Sequence, residues 1–84
     1  MASYRVLIVK EAENDLEKFD PVAKKRIKKA ILKLAENPHA NSKKLTSSQI
    51  GQYRFRVGRY RIIFDLDKDK IVLLRIGHRR EIYR

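Results

Sequence analysis

The chain has 84 residues, no cysteine and two histidines, His39 and His78. That is enough for one modest core, and it argues against disulfides, thiolate metal sites and a metal enzyme. A formal charge of +11 over a composition that is 43% hydrophobic excludes a disordered basic tail and points to a folded scaffold with a polyanionic partner, nucleic acid first.

In chain order, "SYRVLIVK" (3–10) is rich in β-branched residues and apolar on both faces, which predicts a first strand packed inside a sheet. Its apolar run, Val6 to Val9, is far too short for a signal sequence or a membrane span, so a soluble, cytoplasmic protein is expected, forming a single domain over residues 1–84. "EAENDLEKF" follows with Ala12, Leu16 and Phe19 at helical spacing, and Asp20-Pro21 then offers an N-cap and a first-turn proline for a second helix. In that helix Ala23, Ile27, Ala30, Ile31 and Leu34 form the apolar stripe, and Lys24, Lys25, Lys28, Lys29 and Lys33 fill the rest of the circumference. Such a lysine face is either the solvated side of an amphipathic helix or, at Lys25, Lys28 and Lys29, a contact for RNA backbone. Asn37-Pro38 ends the helix. The polar stretch 39–52 is expected to be a loop from which Leu45 and Ile50 tuck back toward the core.

"QYRFRVGRYRIIF" (52–64) predicts a hairpin. With Gly58 and Arg59 as the central residues of a tight turn, Tyr53, Phe55 and Val57 pair with Phe64, Ile62 and Tyr60 on one apolar face. The other face holds Arg54, Arg56, Arg61 and Ile63, with Arg56 directly opposite Arg61. Like charges facing each other cost ~0.2–1 kcal/mol per pair, so a stable fold alone gives no reason to place them there. The last strand, "IVLLRIGHR", is apolar enough to sit centrally in the sheet. Burying Val72, Leu74 and Ile76 against the helices leaves Ile71, Leu73, Arg75, Gly77 and Arg79 on the arginine face, and requires a connection of odd length through Asp67 to Lys70. The expected fold is α+β, in the order β-α-α-β-β-β, with an antiparallel-rich sheet and both helices on one face. Its open face would carry Arg54, Arg56, Arg61, Arg75 and Arg79, with Arg59 in the turn and Tyr83 beyond the strand end, and no acid among the arginines. Ile63, Ile71 and Leu73 on that face would offer a docking spot for a protein partner.

Guanidinium groups bind phosphate bidentately and keep their charge, so the cluster suits a phosphodiester or a carboxylate-rich peptide. A neighbouring tyrosine adds a stacking surface and a phenol that can carry a proton. With no carboxylate pair or Ser/His set on this face, the chemistry it suits is attack of an RNA 2′-hydroxyl on the adjacent phosphate, with arginines stabilising the added charge.

"LTSSQIGQYRFRVGRYRIIF" followed by "RIGHRREIY" resembles the RelE/ParE toxin superfamily over essentially the whole chain. The resemblance implies a RelE-type toxin of a toxin-antitoxin pair, a ribosome-dependent endoribonuclease that cuts mRNA in the A site without a metal or cofactor and is neutralised by a cognate antitoxin. Its implied partners are therefore the antitoxin, ribosomal RNA and mRNA. Position by position, Arg61 falls on a phosphate-binding arginine of the family, Arg79 on its arginine near the C-terminus and Tyr83 on its terminal tyrosine. Arg54 and Arg56 fall where the best-studied members have lysines. An arginine is deprotonated only about once in 10⁵ molecules at neutral pH, so these two suit phosphate binding and transition-state charge rather than proton transfer. Tyr83 then leads as general base, because Arg79, Arg80 and Arg84 beside it would lower a phenol pKa whose reference is about 10. His78 is its rival, although strict alternation turns it to the helix side. Two alternatives stay open: a ParE-type inhibitor of DNA gyrase, and a non-catalytic basic RNA- or ribosome-binding protein on the same fold.

Overall fold

The second helix begins where Asp20-Pro21 implies: the Asp20 carboxylate accepts the Ala23 N–H at 2.8 Å, and Pro21 opens the first turn without an N–H to satisfy. A computed structural model describes residues 4–39, 42–44 and 51–78. Its elements are β1 (Arg5–Ile8), α1 (Lys10–Glu17), α2 (Pro21–Glu36), β2 (Ser42–Lys44), β3 (Tyr53–Val57), β4 (Tyr60–Asp67) and β5 (Lys70–His78). The strands form one sheet in the order β1-β5-β4-β3-β2, with β1 parallel to β5 and the other neighbours antiparallel. Neither described helix is long and apolar enough to cross a membrane.

The core lies between the helices and one face of the sheet. Ala12 and Leu16 of α1 and Ile27, Ile31 and Leu34 of α2 pack with Phe55, Ile62, Phe64, Ile71, Leu73 and Ile76. Each such aliphatic or aromatic side chain contributes ~1.5–3 kcal/mol on full burial, so this single layer carries most of the favourable term. The α+β architecture matches the sequence expectation, with one addition. The stretch 39–52 is not all loop, because Ser42–Lys44 forms the short strand β2 beside β3. Leu45 and Ile50 lie outside the described residues.

Two placements differ from expectation. β1 is an edge strand rather than an interior one. Val6 packs on the core, but Leu7 and Ile8 are 48% and 41% exposed, and among the described residues no strand lies on its outer side. The second difference is in β5. Ile62 faces Ile76 and Ile63 faces Arg75, but Phe64 faces Leu73, so Leu74 is an extra residue in the ladder. This β-bulge reverses the facing of everything before it. Ile71 and Leu73, expected on the arginine face, are fully buried under the helices, and Val72 and Leu74, expected in the core, turn to the other side. The connection is not odd in length either: Asp67 pairs with Lys70 around the two-residue turn Lys68–Asp69, with Lys68 at φ 58°. The odd residue sits inside the strand.

Candidate functional site

The β3–β4 hairpin folds in the register expected from its sequence. Val57 pairs with Tyr60, Arg56 with Arg61, Phe55 with Ile62, Arg54 with Ile63 and Tyr53 with Phe64. Gly58 makes the turn possible at φ 59°, a conformation costly to any side chain but open to glycine. Tyr53, Phe55, Val57, Tyr60, Ile62 and Phe64 face the helices, which leaves Arg54, Arg56 and Arg61 together with Ile63 on the opposite face.

Strand β2 adds a residue that sequence reasoning missed. Lys43 pairs directly with Arg54 and so joins the same basic face. A three-residue strand inside a polar stretch carries too little alternation to be read from sequence. Arg56 and Arg59 are exposed, Arg54 is half-buried, and Arg61 is only 6% exposed. Neither Arg54 nor Arg61 is a free cation. Gly77 lies opposite Arg61 on β5 and adds no side chain to that row. The basic area therefore comprises Lys43, Arg54, Arg56 and Arg61, with Arg59 at the hairpin tip.

The part of that face around Ile63 is covered. Gly51 lies against it so closely that an added Cβ would stand 2.7 Å from Ile63 Cγ2 and 2.8 Å from Leu74 Cδ1. Next to it the Gln52 N–H donates to Asp65 Oδ1 at 2.8 Å, and the Leu66 N–H donates to Gln52 Oε1 at 3.3 Å. Ile63 is consequently 0% exposed. An exposed docking spot made of Ile63, Ile71 and Leu73 is thus overturned: one residue lies beneath Gly51 and two are in the core.

Arg75 does not stand among arginines without an acid. Its Nε and Nη2 donate to Asp15 of α1 at 2.8 and 3.1 Å. Burial pushes the Asp15 carboxyl up, but the Arg75 hydrogen bond, the Ile76 N–H and the charges of Arg75 and Lys18 outweigh it and hold the pKa below the ordinary value. The hydrogen bond that Arg75 donates to Asp15 in turn raises that of Arg75. A signal for Asp15 was present in the sequence. Ala12, Asp15, Leu16 and Phe19 follow the spacing of one helix face, so an acid sits in the buried stripe of α1.

His78 pairs with Tyr60 on the helix side, where the rings meet edge to face at 6.1 Å and Phe19 tilts against Tyr60 at 4.9 Å. It stands on the side away from Arg54, Arg56 and Arg61. Lys25, Lys28 and Lys29 are exposed on α2, also on the helix side. Lys29 joins Arg26, Lys33, Ala30 and Val57 in lining a shallow depression of about 240 Å³. Arg79 and Tyr83, together with Arg80 and Arg84, lie outside the described residues. Among the described residues there is no group of three or more His, Cys, Asp or Glu side chains placed to hold a metal.

Sheet order, helix placement and basic face together define a RelE-like α+β protein. The family model for the ParE toxin of type II toxin-antitoxin systems, parDE, matches residues 6–83. Toxin RelE3 of Methanocaldococcus jannaschii is 35% identical over 83 residues, covering 94% of this chain and 94% of its own. Toxin RelG of Mycobacterium tuberculosis is 32% identical over 88 residues, covering 96% and 97%. The toxin-antitoxin complex RelBE2 of Mycobacterium tuberculosis contains a chain that superposes with a TM-score of 0.85 at 27% identity, over 93% of this chain and 100% of that one. The chain belongs to the RelE/ParE superfamily of toxins of type II toxin-antitoxin systems, as the arginine hairpin and the "RIGHRREIY" segment implied.

Proposed function

We propose that this toxin is a RelE-type endoribonuclease that cuts mRNA in the ribosomal A site, without a metal or cofactor, and that a cognate antitoxin neutralises it. One observation carries the proposal: Arg56 stands directly opposite Arg61, with Arg54 and Lys43 in the adjacent row, on the sheet face away from the helices. Guanidinium groups gathered on one face offer a phosphodiester several charge-assisted, bidentate hydrogen bonds at once. In the reaction, the 2′-hydroxyl passes its proton to the phenolate form of Tyr83 and attacks the neighbouring phosphorus. Arg56, Arg61 and Arg79 stabilise the charge that builds on the non-bridging oxygens, and the 5′-oxygen leaves with a proton taken from water, giving a 2′,3′-cyclic phosphate. Arg54, Arg59 and the exposed Lys25, Lys28 and Lys29 hold RNA backbone by charge. The relatives named RelE3 and RelG support this assignment, and the RelBE2 toxin's assembly with its antitoxin supports the partner.

The matched family model is named for ParE, which favours gyrase inhibition as the second reading. Primer extension on mRNA from translating ribosomes separates the two. We expect cuts within A-site codons, reduced by ~10²–10³ in Arg79→Ala and Tyr83→Phe, the loss typical of one transition-state donor and within the range for one general base. Intact mRNA with gyrase-linked DNA breaks would overturn the nuclease in favour of the second reading.

A further inference from the structure

β1 accompanies β5 for only half its length. The last pair is Ile8 with Leu73, and the Val9 N–H donates to the Leu73 carbonyl at 3.1 Å. The chain then turns into α1, while β5 continues through residues 74–78 with β4 on one side and, among the described residues, no strand on the other. A strand edge left in this way exposes backbone groups beside a buried core. The bulge at Leu74 adds a further condition. Before it, the carbonyls of Asp69, just ahead of β5, and of Leu73 point toward β1; after it, the outward amide belongs to an even-numbered residue, Ile76.

Asp15 meets that amide. Its Oδ2 accepts the Ile76 N–H at 3.0 Å and Arg75 Nε at 2.8 Å, and its Oδ1 accepts Arg75 Nη2 at 3.1 Å. The carboxylate is 11% exposed, against 49% for Arg75. A half-exposed arginine needs no nearly buried acid to stay in solution, so the more specific contact is the one to the strand backbone. One side chain of α1 thus takes the place of the missing strand and closes the ladder after the bulge. Beyond Ile76 the sequence runs through His78 to Arg79 and Tyr83.

We propose that Asp15 is a positioning residue: it fixes the register and direction of Ile76–His78 at the end of β5, and through them the point from which the chain continues to Arg79 and Tyr83. Its bearing on cleavage rests on the nuclease reading above; its hold on the strand end does not. Amide hydrogen exchange and single-turnover cleavage on ribosomes, measured on the full chain, test it. In Asp15→Asn, exchange at Ile76 and Gly77 rises about tenfold, the factor for one charge-assisted hydrogen bond, while exchange at Ile62 and Ile71 is unchanged. In Arg75→Gln, which leaves the carboxylate to hold the Ile76 amide, the rise is smaller. Cleavage at saturating ribosome concentration falls ~10- to 100-fold in Asp15→Asn, as for displaced groups elsewhere, with the half-saturating concentration unchanged. Equal acceleration of exchange throughout the sheet, or none at Ile76, would overturn the proposal, as would a loss seen only in ribosome binding. If the unaltered protein cleaves nothing, the nuclease reading fails by itself, and the exchange pattern still decides whether Asp15 orders the strand end.

Discussion

The β3–β4 and β4–β5 hairpins share a strand, and each closes with a two-residue turn. One keeps its phase from end to end, while the other slips by a residue at Leu74. The cause is contrast between faces. In β3, and at the start of β4 as far as Ile62, aromatic and aliphatic residues alternate with arginine, so a one-residue slip would turn guanidinium groups toward the core and expose Phe55 and Ile62. In β5, "IVLL" is apolar at every position, and either facing satisfies a hydrophobic pattern. Phase there is set by which side chains fit beneath α1 and α2. A sheet of this kind holds a charged functional face in strict register where its sequence alternates, and absorbs irregularity where it does not.

The strongest test of that contrast compares neighbours in β5. Leu73→Ala should cost ~2–5 kcal/mol by denaturant unfolding, as for a fully buried leucine. Val72→Ala, at a half-buried position on the other face, should cost less than ~1.5 kcal/mol. The reverse order would break the bulge assignment.

A smaller effect belongs to the acid that closes the strand end. Asp15→Asn should lower stability by ~1–2 kcal/mol near neutral pH, below the full worth of a charged hydrogen bond because Arg75 is half exposed. Because folding lowers the Asp15 pKa, its contribution is complete above the ordinary value of 3.8 and is lost as pH falls through the depressed one. Denaturation curves of the two proteins should therefore converge in acid and separate as pH rises.

The smallest effect has the opposite sign. Arg56→Gln removes one of two opposed cations and should raise stability by ~0.2–1 kcal/mol, while cleavage falls. A destabilised variant would show that the facing pair is not held against stability for function.

Much of the fold was legible because it rests on short-range pattern. Asp20-Pro21 starts α2, the Ile27, Ile31 and Leu34 stripe selects its buried face, and Gly58 sets the turn that places Arg56 opposite Arg61. His78 faces the helices as alternation requires. β1 was harder to place, since apolar residues on both sides suggested an interior strand and nothing local says that its outer flank is bare. Lys43 was missed because three residues are too few to show a period. The acid in the α1 stripe was visible at Asp15, but its partner was not.

Local chemistry therefore specified the elements, the arginine hairpin and the family resemblance, since each depends on residues within a few positions of one another. Which half of β5 faces the core, which part of the basic face lies beneath Gly51, and the fate of Arg75 depended on the assembled sheet. Asp15 reaches Arg75 across 60 positions of sequence. No periodicity spans that distance. The contact exists because β1 stops short, a bulge turns the Ile76 amide outward, and α1 is the element that lies beside it.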